Sequence, residues 1–547
     1  MLFQNATTSP AAATTAPTPA KDEPVPAAPL APAAADERPD TIDASLRPIK
    51  PEKFGYEQAR HLLWRAGLGG NEQQIRLLVS WGPEKSVDYL LNPDKVNDPS
   101  PPKADSFDQD IMRPPSEEER QAFRMAQRNQ DEDRLAMLRE ERQRRERMDR
   151  EQMSEVQKWW LKRMIETGRP LEEKLTLFWH GILATSFRVI EDSYHMYLQN
   201  QMFRKHALGN YGEMLKALIR DPAMLAYLDN NDSRKNRPNE NLAREIMELF
   251  SLGIGNYTEK DIKEGARALT GYTFRDNAFF MDSTNHDTGG KTILGRSGNW
   301  DGDDFVDIIL AQPACSRYVA RRLYSYFVAD VPPGERGGDR DLPTPQRKVL
   351  RELADMLKVR KYEMKPVLRR LFLSEHFYDD TFISQQIKSP AILTIGAVRS
   401  LNTPVRDLSI LNDAMDLMGQ RLFLPPSVKG WEGGRSWMNT STLFVRQNVL
   451  AFLLTGKKPQ GYDSSADTSS YNAAALFAGA EKGSPLDRGE PRAVVEAVLK
   501  LTIGHAPTSA IEPLVNFAQS RGTNALENET LIGLLLLATS MPEYQLC

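Results

Sequence analysis

The stretch PNENLAREIMELFSLG, at residues 238–253, indicates most clearly how this chain folds. Its apolar side chains recur with the period of an α-helix, so they fill one arc of a helical wheel. That arc holds Leu242, Ala243, Ile246, Met247, Leu249 and Phe250. Asn241, Glu245 and Glu248 follow one another at i, i+4 and i+7 and form a polar stripe beside it. The segment therefore predicts an amphipathic helix whose polar stripe either joins a hydrogen-bonded core or faces a cleft.

The same period runs through most of the chain. Residues 56–66 and 72–91 predict two helices, and residues 171–274 predict a nearly continuous helical series. Residues 303–456 predict further helices separated by loops, whereas residues 275–300 lack the period and allow a short hairpin. We therefore predict an all-α fold. It comprises a large multi-helix core with long irregular loops, a projecting charged helix and a small C-terminal helical region.

Composition divides the chain into four parts. Residues 6–40 are almost wholly Ala, Pro and Thr with a few acids, a composition that cannot bury enough apolar surface to fold. We therefore predict a disordered leader at residues 1–50. The other predicted parts are a helical core domain at 51–456, a polar linker at 457–470 and a C-terminal helical region at 471–547.

Residues 116–158 form the charged helix of this prediction. Ser116 followed by Glu119 matches a capping box. The following residues alternate in charge at i,i+3 and i,i+4, which supports a helix exposed to solvent. Apolar residues are too sparse for a coiled-coil seam, so we expect the helix to leave the body and rejoin it near Val156.

Charge, cysteine content and hydropathy exclude several classes of protein. The 547 residues include 70 Lys and Arg against 74 Asp and Glu, a formal net charge of −4, so no general attraction to nucleic acid is expected. The two cysteines, Cys315 and Cys547, exclude a disulfide framework and a cysteine-based zinc cluster. No apolar run reaches about 18 residues, so no transmembrane segment is predicted.

Six motifs within residues 55–456 are long enough to carry a family resemblance. They are RHLLWRAGLGG (60–70), LTLFWHGILATS (175–186), RKHALGNYGEMLKALIRDPAMLAYLDNNDSRK (204–235), NENLAREIMELFSLGIGNYTEKDIKEGARALTGYTF (239–274), HDTGGKTILG (286–295) and LPPSVKGWEGGRSWMNTSTLFVRQN (424–448). Together they resemble the bacterial family catalogued as domain of unknown function 1800. This resemblance implies no particular activity.

The resemblance implies a location and a partner. Members look mostly helical and commonly carry export signals, and their genes often lie beside a family whose fold looks sulfatase-like. A periplasmic or cell-envelope location and a sulfatase-like exported protein as partner are therefore expected. The chain's first residues, MLFQNATTSP, lack the features of a secretory signal, which leaves a cytoplasmic location as the alternative.

Glu245 and Glu248 are the first candidates for chemistry, because inward-facing carboxylates of helical bundles bind metals or transfer protons. A divalent metal ion would need a further ligand from elsewhere, and His180, after two aromatic residues, is predicted to act in catalysis either as that ligand or as a proton carrier. Its other interpretation is a histidine packed in the core. Arg244 either stabilises an anionic substrate or pairs with Glu240 and Glu248 at i±4.

The motif HDTGGKTILG brings His286, Asp287 and Lys291 together on an irregular loop. It is not a phosphate-binding Walker loop, because Asp287 stands where the first glycine should be. Loops that carry such groups are where function concentrates. We therefore predict a catalytic role for this loop, with His286 as ligand or proton carrier and Lys291 as an anion-stabilising group.

Two polar loops supply the predicted substrate-binding residues. The segment DNNDSRKNRPNEN (229–241) suits turns and caps, but also an anionic or sugar substrate. The glycine-rich loop KGWEGGRSWMN (429–439) carries two tryptophans that either stack on sugar rings or peptides or fill the core. The predicted substrate-binding residues are Asp229, Asn239, Asn241, Trp431 and Trp437.

These patterns support two hypotheses. One is an envelope-located hydrolase, assisted by a divalent metal ion, whose cleft lies where residues 229–248, the His180 helix and the His286–Lys291 loop converge. The other is a non-enzymatic helical scaffold whose polar stripe is internal and whose charged helix docks another exported protein.

Overall fold

The apolar period of the sequence becomes a series of α-helices in a computed structural model, which describes residues 46–96, 107–331, 342–459, 462, 467 and 469–547. The helices within these residues are α1 (Tyr56–Arg65), α2 (Glu72–Leu91), α3 (Glu117–Arg128), α4 (Glu132–Glu166), α5 (Pro170–Ile182), α6 (Phe187–Ile190), α7 (Ser193–His206), α8 (Tyr211–Leu218), α9 (Pro222–Tyr227), α10 (Asn241–Glu245), α11 (Glu259–Ala268), α12 (Gly302–Leu310), α13 (Pro313–Phe327), α14 (Thr344–Val359), α15 (Met364–Phe372), α16 (Pro390–Leu401), α17 (Leu408–Leu417), α18 (Thr440–Thr455), α19 (Pro491–Ile503), α20 (Thr508–Arg521) and α21 (Asn528–Thr539). The predicted all-α fold is confirmed. The predicted leader, except its last five residues, and half of the predicted linker lie outside the described residues.

Two small antiparallel hairpins are formed in the part of the chain where the helical period fails. Strand β1 (Tyr272–Arg275) pairs with β2 (Ala278–Met281), and β3 (Lys291–Ile293) pairs with β4 (Arg296–Gly298). The hairpins lie between α11 and α12, and β3 packs against α11.

Helices α5 and α16 lie deepest in the core. Nearly all residues of both helices are buried. The sequence of α16 is mostly apolar, as expected of a helix without a solvent-facing side, whereas α5 also buries Glu173, Lys174 and His180. Helix α5 packs on α7, and α16 packs on α4 and α18. The buried carboxylate of Glu173 on α5 accepts hydrogen bonds from Arg204 on α7 (Nε–Oε1, 2.6 Å) and from Trp160 on α4 (Nε1–Oε2, 3.0 Å). This carboxylate therefore joins three helices inside the core.

The charged segment differs from its prediction, because it consists of two helices. Helix α3 ends at Arg128, Gln130 takes a left-handed conformation (φ 54°), and the Asp131 side chain caps α4 by accepting from the Arg134 N–H (3.0 Å). The capping box at Ser116 is confirmed. The first half of α4 is mostly exposed and its second half is largely buried, so α3 and the exposed half of α4 are called the charged arm below.

The C-terminal helices α19, α20 and α21 pack on one another, and α21 packs on α18. Arg60 of α1 donates to the Leu501 carbonyl (3.1 Å), and Leu546 forms a β-bridge with Ile387. The described residues belong to one compact unit. In the described part of the chain, no helix has the length and hydropathy needed to cross a membrane.

Candidate functional site

The segment at residues 238–253 forms α10 and then a π-helical turn, Ile246–Ser251. The turn is defined by the Leu252 N–H, which donates to the Met247 carbonyl five residues earlier (2.9 Å). The predicted apolar arc is fully buried apart from half-buried Leu249. Apolar periodicity predicts the helix but does not distinguish an α-turn from a π-turn, and π-turns occur frequently at functional sites.

Glu245 and Glu248 are half-buried side by side on this segment. Burial, together with the negative charge of Glu248, raises the pKa of Glu245 above its ordinary value. Glu248 accepts a hydrogen bond from the Tyr257 hydroxyl (2.5 Å). The charges of Arg244 and Lys429 act in the opposite direction on the Glu245 pKa. The pair thus holds one carboxyl that is easier to protonate beside one that is held by a phenol.

Arg244 pairs with two carboxylates, of which one was predicted. It contacts Glu240 (Nη2–Oε2, 3.0 Å), as expected, and forms two contacts with Glu259 of α11 (2.7 and 2.9 Å). The predicted pairing with Glu248 is wrong, because α11 packs beside α10 and brings Glu259 into reach. The guanidinium therefore ties α10 to α11.

His180 lies in an aromatic enclosure. Its ring centroid is 5.6 Å from Trp160, 6.3 Å from Phe203, 5.5 Å from Phe423 and 5.6 Å from Trp431. The side chain is 2% exposed, and its Nε2 has no hydrogen-bond partner among the described residues. Burial lowers the pKa of His180 to about 3, so the ring is neutral at physiological pH. This environment corresponds to the core interpretation of the residue.

The predicted metal ligands were Glu245, Glu248 and His180. Within the residues that the structure describes, no three His, Cys, Asp or Glu side chains come together in a group that could hold a metal ion. The structure therefore does not gather these three as a ligand set. His180 lies on α5, whereas Glu245 and Glu248 share the segment at residues 238–253. The ring contacts of His180 are all with aromatic residues.

The His286 loop is tied to itself and to α11. His286 Nδ1 lies 2.8 Å from the Thr270 carbonyl oxygen, and Asp287 pairs with Arg267 (Oδ2–Nε, 2.7 Å). The Lys291 ammonium donates to two carbonyl oxygens of its own loop, including that of Asp287 (2.5 Å). Lys291 is 2% exposed, so it stabilises the loop from inside. These contacts do not reach the carboxylate pair.

The polar segment at residues 229–241 forms turns and a cap. Asp229 is left-handed (φ 54°), and its carbonyl accepts from Asn239 Nδ2 (3.0 Å). Asn239 Oδ1 accepts from the Asn241 N–H (2.9 Å) at the start of α10. The side chains of Asp229 and Asn239 also line an open hollow with Arg234 and Arg237. The segment thus combines capping with a polar surface.

Residues 429–437, the tryptophan loop, lie against the C-terminal end of α5. Gly430 has φ +78°, and a Cβ there would lie 1.9 Å from the Gly181 carbonyl oxygen, so this close approach requires glycine. Trp431 contacts both Gly181 and His180, and Trp437 is 6% exposed. The loop therefore presents both predicted tryptophans at one place.

The tryptophan loop forms one wall of a cavity of about 190 Å³. The other walls come from α5, α13, the start of α16 with the residues before it, and the C-terminal segment. Lining residues include Lys174, Phe178, Arg322, Tyr326, Asp330, Gln386, Lys388, Gln420, Trp431, Glu432, Trp437 and Cys547. We call this space the tryptophan-loop cavity.

Cations lie at the buried end of this cavity. Lys174 is 4% exposed and donates to the Trp64 carbonyl (Nζ–O, 2.6 Å), and fully buried Lys388 donates to the Tyr544 carbonyl (2.6 Å). Neither ammonium forms an ion pair with a carboxylate among the described residues. Burial lowers the pKa of Lys174 to about 7 and that of Lys388 well below its ordinary value. Lys388 also lies 3.9 Å from the ring centroids of Trp64 and Tyr544, so its charge is met by aromatic faces. Neither lysine therefore has a carboxylate among the described residues to compensate its charged form.

Polar atoms without partners and exposed acids complete the cavity. The Nε of Arg322 and the Nε1 of Trp431 are buried and find no hydrogen-bond partner among the described residues. Asp330 and Glu432 line the cavity but are exposed, so the acidic groups lie toward solvent and the basic groups lie inside.

Sequence reasoning identified the two tryptophans of this cavity but missed the two lysines. Lys174 and Lys388 are more than 200 positions apart in the chain, so no local motif joins them. No local signal marked Lys174, because it directly follows Glu172 and Glu173 in the sequence and reads as part of a charged helix start.

Comparison with known proteins gives one match. The family model described as "Protein of unknown function (DUF1800)" matches residues 61–546, nearly the whole chain. No curated protein and no solved structure matches. The chain therefore belongs to the DUF1800 family of proteins of unknown function.

Proposed function

We propose that this protein binds a small anionic ligand that carries a ring, in the tryptophan-loop cavity. The observation that carries the proposal is the pair of buried ammonium groups, Lys174 and Lys388, without a described carboxylate to pair with them. Burying an unpaired charge costs several kcal/mol. A bound anion would supply the missing negative charge and favour the protonated lysines.

The shape and lining of the cavity support the ring. A space of about 190 Å³ suits a molecule of one ring, since drug-sized ligands occupy larger clefts. Trp431, Trp437 and Tyr326 supply apolar faces together with N–H and O–H groups. Because Asp330 and Glu432 lie toward solvent, an acid entering the cavity is oriented with its negative group inward.

Tryptophan fluorescence titrations with matched pairs of probes test this function. We expect benzoate and glucuronate to bind, and their neutral counterparts benzamide and glucose to bind at least about tenfold more weakly. Lys174→Met should remove this preference. Lys500→Met, which alters an exposed lysine of α19, should retain it. Failure of both acids to bind, or equal binding by the Lys174→Met variant, would exclude this function.

Hydrolysis at the carboxylate pair is the second candidate function. It is favoured by the position of Glu245 beside Glu248 and by the burial that raises the pKa of Glu245, since a pair of carboxyls is the arrangement used by acid–base hydrolases. The test is turnover of chromogenic esters and glycosides by the full-length protein. Glu245→Gln should lower any such rate by about 100-fold or more, whereas exposed Glu529→Gln should not. Turnover that Glu245→Gln leaves unchanged would remove this candidate.

A scaffold role and an envelope location also stay proposals. The exposed charged arm supports docking of another protein, and the family resemblance suggests a sulfatase-like exported partner. The Ala/Pro/Thr composition of residues 6–40 is typical of spacers in envelope proteins. Fractionation of native bacterial cells, followed by cross-linking, tests both ideas. Recovery with cytoplasmic markers would contradict the envelope location.

A further inference from the structure

Cys547 is one of the residues that line the tryptophan-loop cavity. Its position is fixed by pairing with Gln386, through Cys547 N–H to the Gln386 carbonyl (2.9 Å) and Gln386 N–H to the Cys547 carbonyl (3.3 Å). Its Sγ lies 3.8 Å from Nη1 of Arg65. The thiol is therefore held in a defined place where a cavity ligand can meet it.

Arg65 is buried beside this thiol and has spare hydrogen-bonding capacity. It is 1% exposed, its Nε donates to the Phe327 carbonyl (3.0 Å), and its Nη1 contacts Gln386 and Cys547. Its Nη2 has no partner among the described residues. Because a buried guanidinium rarely leaves a nitrogen unpaired, this geometry favours an anion beside Cys547.

We infer that Cys547 is a nucleophile toward small carboxylate-bearing electrophiles, whose carboxylate is held by the cations of the cavity beside the sulfur. The inference rests on the same cavity as the proposed function. It adds a covalent step to binding and assigns that step to one atom, the Cys547 Sγ.

Electrostatics favour the thiolate, which is the nucleophilic form of cysteine. Burial alone would raise the pKa of the Cys547 thiol, but the charges of Arg65, Lys174 and Lys388 bring it below its ordinary value. Arg60 and Tyr326 also face the thiol closely enough to interact with it electrostatically.

Cys315 provides a control within the same chain. It is also buried, but it does not line the cavity, and burial raises its pKa to about 12. Both cysteines are therefore buried, but they differ in the charges around the thiol and in whether they line the cavity.

Alkylation by iodoacetate is the simplest form of the proposed step. The thiolate sulfur bonds to the methylene carbon, the carbon–iodine bond breaks, and iodide leaves with the electron pair. The protein keeps a carboxymethyl thioether, and no proton or further reagent is required. Iodoacetamide performs the same reaction without the negative charge, so it is the matched neutral probe.

The experiment treats the full-length protein with each reagent from pH 6 to 9 and measures both cysteine peptides by mass spectrometry. The reference is the same chain unfolded in urea. We expect the iodoacetate-to-iodoacetamide rate ratio at Cys547 to be about tenfold higher in the folded protein than in the unfolded chain. The pH midpoint of the Cys547 reaction should also be lower, and Cys315 should stay unmodified.

A variant and the binding of benzoate and glucuronate separate this inference from the proposed function. Lys174→Met should reduce the preference for iodoacetate at Cys547. A Cys547 that is inert in the folded protein, or that keeps the rate ratio and pH profile of the unfolded chain, overturns the inference even if benzoate binds. Preferential carboxymethylation of Cys547 without any binding of benzoate or glucuronate would retain the nucleophile and remove the ring-bearing ligand.

Discussion

The charge inside the tryptophan-loop cavity depends on single buried residues that have no carboxylate partner among the described residues. Lys174 is buried against a backbone carbonyl, and burial lowers its pKa to about 7. In the unfolded chain the same lysine titrates near its ordinary value of 10.5. Between these two values the unfolded state binds the extra proton, so the contribution of Lys174 to stability rises with pH from about 7 to about 10.5.

Replacing Lys174 by methionine should therefore stabilise the protein at neutral pH. We expect the free energy of unfolding at pH 7 to increase by about 2–4 kcal/mol. This gain should shrink toward pH 10, because protonation of Lys174 in the unfolded chain becomes less favourable as the pH approaches its unfolded-state pKa. Urea denaturation at pH 7, 8.5 and 10 measures the difference. A difference that stays constant with pH would show that Lys174 is not held in the predicted environment.

Gly430 is the residue on which the tryptophan loop depends. Gly430→Ala should destabilise the protein by about 3 kcal/mol, because the new Cβ would overlap the Gly181 carbonyl oxygen. Gly295→Ala is the matched control, since Gly295 has a similar φ of +80° but no neighbour within 4 Å, and should cost only about 1 kcal/mol. Thermal unfolding of both variants gives the comparison, and equal losses would contradict the close approach.

At the scale of elements, the carboxylate-bearing segment shows what could be predicted from the sequence. The buried arc of Leu242, Ile246 and Phe250 follows from apolar spacing alone, and the structure confirms it. The pairing of Arg244 with Glu259 could not be predicted in this way, because it depends on how α11 returns beside α10. The π-turn was also missed, since it changes hydrogen bonding without changing the apolar pattern.

The His180 enclosure can be separated from a catalytic site by pH. His180→Phe keeps an aromatic ring at the same position, so we expect the free energy of unfolding at pH 7 to change by less than about 1.5 kcal/mol. Burial lowers the folded-state pKa of His180 to about 3, so between that pH and about 6.5 only the unfolded wild-type chain gains the proton. The wild-type stability from this group is complete above pH 6.5 and is lost progressively as pH falls.

The His180→Phe variant lacks this pH-dependent contribution. Its free energy of unfolding relative to wild type should therefore increase by about 3 kcal/mol as the pH falls from 7 to 4. Urea denaturation at pH 7, 5.5 and 4 provides the measurement. A relative stability that does not change with pH would contradict the buried neutral imidazole. Loss of any ligand binding or turnover in a variant of unchanged stability would instead support the catalytic role predicted for His180.

For the whole molecule, the C-terminal helices complete the core and one wall of the cavity. Lys388 bonds to the Tyr544 carbonyl, and buried Arg446 bonds to Gln545 (Nη1–Oε1, 3.2 Å). Composition predicted these helices but not their attachment, because contacts across more than 90 positions leave no local pattern. The lysine-lined cavity was missed for the same reason.

Truncation tests this dependence. Removal of residues 471–547 should abolish cooperative unfolding, because α18 and the residues before α16 lose their packing partners. Removal of residues 1–45 should leave the thermal midpoint within about 2 °C of the full chain, since their composition predicts a disordered leader. Calorimetry of both truncated chains makes the comparison. A cooperative transition in the chain without residues 471–547 would contradict the single core.

The measurement that most directly tests the anion-binding cavity is calorimetric titration of the full-length protein with benzoate at pH 7, in two buffers of different ionisation enthalpy. Because Lys174 is only partly protonated near this pH, binding of an anion should draw a proton onto it. We expect saturable binding of one benzoate with uptake of a substantial fraction of a proton, and much weaker binding of benzamide. Absence of benzoate binding would contradict the anion-binding cavity. Benzoate binding that takes up no proton and is no stronger than benzamide binding would contradict it too.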